Sequence, residues 1–327
     1  MIYKKVAKIK EEISAIGVGT WNMGGDWDSS DEKKAIEVVH GAIDMGINFF
    51  DVAPVYGMGI SETVLGKALK DGGRRNRVLI ATKAGLPWDE KGQTQNNLTK
   101  ASLLKEVDDS LTRLQTDHID IYQMHWPDHS TPLEETAEAL RMLKESGKIR
   151  YVGLSNYSQK EVETMMTMVD VECQQGLYNM LERNTSSYHG IPLEYRTEEE
   201  VFPFVREHGQ AFLPYSPLFQ GLLAGKFLEG IDFSERDVRS SNPKLAGEKF
   251  STYVEIARKL KAFAEEIGHP MNEVTFNWMR QRPEVTSIIA GASSVEQLEK
   301  NVHSITWDIS DEEMKKISEI IEPVRMI

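Results

Sequence analysis

Eight short apolar runs recur along this chain, nearly all followed by a longer amphipathic stretch, and nothing else restricts its fold so tightly. The runs lie near 16–19, 47–51, 78–82, 119–124, 149–154, 170–175, 210–215 and 286–290. They read as near-continuous Val, Ile, Leu and Phe, as strands buried on both faces of a parallel sheet do. Between them the period changes to that of helices. Segment 31–45 puts Ala35, Ile36, Val39, Ala42 and Ile43 on one face and stops at Gly46. Leu103, Leu104, Val107, Leu111 and Leu114 repeat the pattern. Capping boxes are predicted at Thr131–Glu134, with Pro132 as the first helical residue, and at Ser158–Glu161 and Ser310–Glu313. Eight strand-plus-helix units predict a (β/α)8 TIM barrel rather than an open sheet. Residues 3–13 read as an N-terminal hairpin capping the barrel. Residues 216–250 read as a large loop between strands seven and eight, followed by helices near 251–267 and 271–282.

The chain's 327 residues suit one such barrel, so 1–327 is read as a single domain. A formal net charge of −13 argues against nucleic acid as a partner, because neutralising phosphates takes clustered Lys and Arg. The one cysteine, Cys173, can form no internal disulfide, and a cytoplasmic location follows most simply. The N-terminus lacks the apolar core of a signal peptide, and no apolar run approaches the roughly 20 residues of a membrane helix.

Chemistry gathers at the strand ends. Asp51, Lys83 and His125 close the second, third and fourth runs, and Tyr56 follows in the loop after the first of these. In a parallel barrel these C-terminal ends converge on one face. An ammonium beside a phenol favours the phenolate, so Lys83 is expected to lower the pKa of Tyr56. Asp51 can hold Lys83 in place and keep it charged. Tyr56 then serves as proton donor to a carbonyl oxygen that His125 orients. Such a site has no nucleophile, so hydride must come from a cofactor. Singly, each residue has a plainer reading: a helix cap, a solvated strand end or a core histidine. Spacing alone does not choose between the readings.

Around these residues the chain reads Gly46-Ile47-Asn48-Phe49-Phe50-Asp51-Val52-Ala53-Pro54-Val55-Tyr56-Gly57, then Ser61-Glu62 and Leu65-Gly66. Further on come Asp117-His118-Ile119-Asp120, Gly147-Lys148-Ile149-Arg150, Gly153-Leu154-Ser155-Asn156 and Tyr215-Ser216-Pro217-Leu218. This ordered set resembles the aldo-keto reductase family over nearly the whole chain. The resemblance implies that Tyr56 is the general acid, Lys83 and Asp51 its tuning pair, and His125 the substrate orienter. Val52 departs from the common threonine, with no proton-transfer role attached.

A nicotinamide needs its carboxamide gripped and its ring faced. Ser155 and Asn156 follow the fifth strand, Gln175 ends the sixth, and Tyr215 ends the seventh where it can stack. In isolation Ser155-Asn156 is a turn and Tyr215 is packing. The resemblance assigns all four to the nicotinamide. It places Thr20 and Trp21 beside the cofactor, Ser216, Leu218, Gln220 and Gly221 along its pyrophosphate, and Lys226 within reach of a phosphate. Gly291, Ser293, Gln297 and Asn301 fall at the adenosine end, where Ser294 and Gln297 also have capping-box spacing. Many relatives carry Lys or Arg there for the 2′-phosphate of NADPH, and this chain has Gly291, Ala292 and Gln297 instead. NADPH is the expected cofactor, with NADH also admitted.

Trp21, Trp27, Val55, Trp88, Trp126 and Phe219 fall in loops of the same face and suit an apolar or ring-bearing carbonyl substrate. His125, Asp128 and His129 look like a metal cluster, but no further ligand is evident and no metal is expected. The reading is an NAD(P)H-dependent aldehyde or ketone reductase. The resemblance also admits a slow-turnover, cofactor-holding regulatory or sensor protein on the same scaffold. A barrel hydrolase or lyase would not need the nicotinamide-type residues. The sequence leaves the oligomeric state, the substrate and the reaction direction open.

Overall fold

A computed structural model describes residues 1–24, 31–230 and 238–326. Eight parallel strands form one sheet: β1 (Ile16–Gly19), β2 (Phe49–Asp51), β3 (Leu79–Ala84), β4 (Ile119–Met124), β5 (Ile149–Ser155), β6 (Cys173–Leu177), β7 (Ala211–Tyr215) and β8 (Ile288–Gly291). Neighbours pair in sequence order, and β8 returns to β1 through Ile288–Ile16 to Gly291–Gly19. The last seam, between β7 and β8, closes by a single bridge from Phe212 to Val285, with the Thr286 amide donating to the Phe212 carbonyl at 2.9 Å. This is the nearly closed (β/α)8 barrel that the alternation predicts.

Alternation along each strand divides the apolar residues into two cores. Phe49, Leu79, Ala81, Ile121, Cys173, Leu213 and Ile289 fill the barrel interior. Their neighbours Phe50, Ile80, Tyr122, Phe212 and Ile288 pack outward against the helices. Successive side chains on a strand point to opposite faces, so inward positions recur every second residue. Ile9 and Ile13, from the N-terminal segment, join the interior cluster and plug its lower end. Tyr3–Lys4 and Ile13–Ser14 pair antiparallel there, as the expected hairpin requires.

Helices α1 (Glu32–Asp44), α2 (Ile60–Leu69), α3 (Lys100–Leu114), α4 (Leu133–Glu145), α5 (Gln159–Met166), α6 (Phe202–His208), α7 (Gly247–Glu266), α8 (Met271–Arg280), α9 (Val295–His303) and α10 (Asp311–Ile321) follow. The boxes at Ser158 and Ser310 form in full. The box at Thr131 does not. Pro132 itself is the N-cap of α4, and the Thr131 hydroxyl donates to Asp128 Oδ2 at 2.7 Å. That carboxylate also accepts from the Leu98 and Ser130 amides, so a satisfied loop turn outcompetes the cap. The sixth strand begins at Cys173 rather than near residue 170, and the Glu172 carboxylate accepts from the Val152 amide at the strand's approach. Lys83 and Gln175 accordingly lie inside β3 and β6 instead of ending them.

Helix α2 crosses the end of α3 closely. A Cβ on Gly66 would sit 2.5 Å from the Arg113 carbonyl oxygen and 2.7 Å from the Leu114 carbonyl carbon. Both are backbone atoms, so the helices must separate to admit a methyl group. Gly66→Ala is expected to cost about 1–3 kcal/mol, read as a lowered urea midpoint.

Candidate active site

Parity along the strands carries the site. Continuing inward from Phe49, Leu79 and Ile121 brings Asp51, Lys83 and Gln123 to the interior face, and the same step takes Cys173 to Gln175 and Leu213 to Tyr215. Apolar residues fill the lower layers and polar ones the upper end. Lys83 is fully buried and donates to Asp51 Oδ2 at 2.8 Å, to the Val52 carbonyl at 3.2 Å and to the Tyr56 hydroxyl at 3.2 Å. The His125 ring meets the Tyr56 ring edge-on at 6.1 Å, and Trp21 stacks on the other side at 6.1 Å. Sequence reasoning named these four side chains from three strand ends and the loop after one of them, and the fold brings them together.

Gly57 sets the loop that carries Tyr56. Its φ is +61°, and a Cβ there would lie 1.7 Å from the Gly24 carbonyl oxygen, so only glycine fits the turn.

The electrostatics correct one expectation. Burial pushes the Tyr56 phenol above its ordinary pKa; the Lys83 ammonium pulls it down, but by less. Tyr56 is therefore a held proton, not a phenolate, at neutral pH. Burial also opposes the charge on Lys83, yet Asp51 and Tyr56 outweigh it and raise the ammonium's pKa. Burial, reinforced by the Lys83 charge, holds His125 well below the usual histidine range, so its imidazole is neutral.

Asp51 Oδ1, the oxygen away from Lys83, accepts from Gln175 Nε2 at 2.8 Å and from Gln123 Nε2 at 3.3 Å. A carboxylate only accepts, so both amides must turn their nitrogens toward it. Gln123 escaped the sequence reading, although a glutamine at an inward position of an apolar strand was its signal. Gln175 Oε1 accepts from no partner among the described residues. Ser155, in register with Gln175, accepts from Asn156 Nδ2 at 3.1 Å and keeps its hydroxyl proton to give. One free acceptor and one free donor on adjacent strands complement a primary carboxamide, and this donor set fits a nicotinamide.

Asn156 differs from expectation. Its amide nitrogen donates to the His125 carbonyl at 3.2 Å and to Ser155, and its oxygen accepts from the Tyr215 hydroxyl at 2.8 Å and the Tyr195 hydroxyl at 3.1 Å. All four of its hydrogen-bonding positions are engaged within the protein. Tyr195 lies in the loop after β6, where no sequence signal pointed to it. Thr20 is likewise withdrawn: it is buried, donates to the Asp51 carbonyl at 3.0 Å and accepts from Ser61 at 2.8 Å. It braces β2 rather than presenting a hydroxyl at the surface.

Ser216, Gln220 and Gly221 lie in a twisted segment with φ of 56°, 55° and 111°, and Leu218 is half-buried beside them. Gln220 is tied to His189 and accepts from Asn242 at 3.0 Å. Lys226 is exposed beyond them. Gly291, Ser293, Gln297 and Asn301 gather at the start of α9. Gln297 Oε1 accepts from the Ser293 amide and hydroxyl at 3.0 Å, and Asn301 donates to the Gly291 carbonyl at 3.4 Å. The Ser294–Gln297 box is thus half formed, since the Gln297 side chain bonds Ser293 instead of the cap residue. Val55 and Trp126 are half-buried at the mouth. Trp88 bridges to Thr94 under the Arg113 guanidinium. Phe219 is core, buried against Tyr253 with ring centroids 4.9 Å apart. Trp27 lies outside the described residues. Asp128 is spent on its loop turn and His129 faces Glu161 at 3.5 Å, so neither converges with His125 on a metal position. Among the described residues no helix is long and apolar enough to cross a membrane.

The barrel and its relatives place this protein among the parallel-barrel oxidoreductases. The chain belongs to the aldo/keto reductase family, whose model matches residues 15–322. It is 36% identical to the aldo-keto reductase YhdN of Bacillus subtilis (strain 168) over 98% of this chain and 94% of that one. It is 30% identical to the NADH-specific methylglyoxal reductase of Escherichia coli (strain K12), over 95% and 96%. Among solved structures, the glycerol dehydrogenase of Gluconobacter oxydans superposes with a TM-score of 0.86 at 32% identity, over 98% of this chain and 95% of that one. Its family makes this protein an oxidoreductase of carbonyl compounds that works with a nicotinamide cofactor.

The His125 environment has a measurable consequence. With its folded pKa below the unfolded value of about 6.5, the unfolded chain binds more protons, and stability falls as pH drops below that value. The His125 ring resonances are expected not to titrate between pH 8 and 6 by NMR. His125→Phe should flatten the acid side of the stability curve.

Proposed function

We propose that this protein reduces aldehydes or ketones with Tyr56 as general acid, Lys83 and Asp51 as its supporting pair, and His125 as the group that orients the carbonyl. The observation that carries the reading is the fully buried Lys83 ammonium, within hydrogen-bond reach of both Asp51 and the Tyr56 hydroxyl. Ser155, Gln175 and Tyr215 would hold a dihydronicotinamide, which when bound would supply the hydride for the carbonyl carbon. As negative charge grows on the oxygen, Tyr56 gives it the phenolic proton, and the alcohol is complete. Lys83 then faces the phenolate and stabilises it where water is excluded. The raised pKa of Tyr56 suits this order: the proton stays on the phenol until a stronger base, the incipient alkoxide, forms beside it. His125, neutral, donates from its ring to the same oxygen without competing as an acid. In the reverse direction the same groups accept the proton of an alcohol.

Asn156 holds the frame around the cofactor through His125 and Tyr215. Ser216, Leu218, Gln220 and Gly221 lie along the pyrophosphate, with Lys226 beyond, and the α9 start takes the adenosine end. NADPH is the proposed cofactor by family resemblance, and NADH is accepted as well. Lys300, the one cation on α9 before its last residue, already pairs with Glu296 at 2.7 Å. Trp21, Val55, Trp88 and Trp126 wall the substrate, and residues 1–327 act as one domain.

Purified protein should oxidise NADPH when given an aromatic aldehyde, followed at the absorbance band of the reduced cofactor. Tyr56→Phe should lower turnover about 10²- to 10⁴-fold while cofactor affinity stays. Equal turnover by the two proteins would remove the general-acid assignment. The cofactor choice is tested by titrating NADPH and NADH separately. Affinities within about tenfold of each other are expected, and a large NADH advantage would overturn the NADPH preference.

A further inference from the structure

We propose that Gln123 is a positioning residue of the proton-transfer site, clamping Asp51 so that its second oxygen stays on Lys83. The inference rests on the carbonyl-reduction reading above. Gln123 has no exposed surface and stands in register with Lys83 on β3 and with Gly153 on β5. Its nitrogen donates to Asp51 Oδ1 at 3.3 Å, and its oxygen accepts from Gln175 Nε2 at 3.3 Å. Gln175 itself donates to the same Oδ1 at 2.8 Å. The two carboxamides and the carboxylate close a triangle in which each edge is a hydrogen bond. Within it Asp51 Oδ1 is fixed by two donors, and among the described residues Oδ2 accepts from Lys83 Nζ alone.

The barrel makes room for this arrangement. A Cβ on Gly153 would fall 2.7 Å from Gln123 Cγ, so the glutamine lies across the space that a side chain at 153 would take. Cys173 Sγ, 4.0 Å from Gln123 Oε1, bounds the other side. A glutamine buried among apolar strands is costly unless its amide is bonded. Here the bonds run to the groups that hold the Lys83 charge. If Gln123 is removed, Oδ1 keeps only the Gln175 donor, and Asp51 is held less firmly on the ammonium. Of the other titratable groups facing the pair, burial holds His125 neutral and pushes the Cys173 thiol and the Tyr188 phenol well above their ordinary ranges. The alkaline limb of turnover therefore reports the coupled Lys83–Tyr56 pair.

The test compares wild type with Gln123→Met, which keeps the volume and deletes the amide, and with Gln123→Glu, which adds a carboxylate. Gln123→Met is expected to lower kcat about three- to tenfold at neutral pH. KM for the aldehyde and cofactor affinity by fluorescence quenching should hold, while the alkaline limb moves to lower pH, because Lys83 keeps its proton less firmly. Gln123→Glu should move that limb to higher pH, since added negative charge holds the protons on both Lys83 and Tyr56. Should Gln123→Met fail to fold, Gly153→Ala displaces the same amide from the opposite side and is expected to move the limb as Gln123→Met does. An unmoved limb in these variants overturns the inference, as does a parallel loss of cofactor affinity, which would mark a merely structural residue. A wild type that turns over no carbonyl, or a Tyr56→Phe variant with full turnover, instead defeats the reduction reading on which the clamp depends.

Discussion

A lysine with no exposed surface, held between a carboxylate and a phenol, is the interaction on which the rest of the molecule is arranged. Burying an ammonium is costly, and removing one member of such a pair typically costs about 3–5 kcal/mol because the other is left uncompensated. The fold accepts Lys83 by supplying Asp51 Oδ2, the Val52 carbonyl and the Tyr56 hydroxyl at hydrogen-bond distance. The same low-dielectric surroundings that make the charge expensive make it effective. A developing phenolate beside it is stabilised far more than it would be in water.

The barrel achieves this by segregating its interior along the axis. Below, Ile9 and Ile13 close the inner core with Phe49, Leu79 and Ile121. Above, inward positions further along the same strands are Asp51, Lys83 and Gln123. The chemistry thus stands on a packed apolar floor, and its side chains have little room to drift. Polar groups at that level satisfy one another: Gln123 and Gln175 hold Asp51, and Asn156 joins the end of β4, β5, β7 and the loop after β6 through four hydrogen bonds.

Loops from neighbouring strands are joined in the same way. Buried Lys244 donates to Glu182, Thr185 and the Ser187 carbonyl, fastening the segment after β7 to the one after β6. Glu182 also accepts from Asn179, whose amide reaches the Ser216 carbonyl at 2.9 Å. A long connection is thereby pinned at both its start and its end, which confines the surface read as the pyrophosphate groove. These contacts join residues tens of positions apart, so no local pattern announces them.

The strand and helix pattern and the barrel were legible in the chain, and so was the convergence of Asp51, Tyr56, Lys83 and His125 at one end of it, whose roles only the resemblance implied. Period-2 and period-3.6 burial and residue type are local properties, written in consecutive positions. The capping boxes at Ser158 and Ser310 were legible for the same reason, whereas that at Thr131 was lost to Asp128, a partner the helix signal does not include. Tertiary structure alone decided that Asn156 and Thr20 spend their groups inside the protein, that Phe219 is core, and that Gln123 stands against Asp51. It also decided the direction in which Tyr56 is shifted. Burial and hydrogen-bond partnership depend on which strands become neighbours, and closing the barrel is what brings those distant residues into contact.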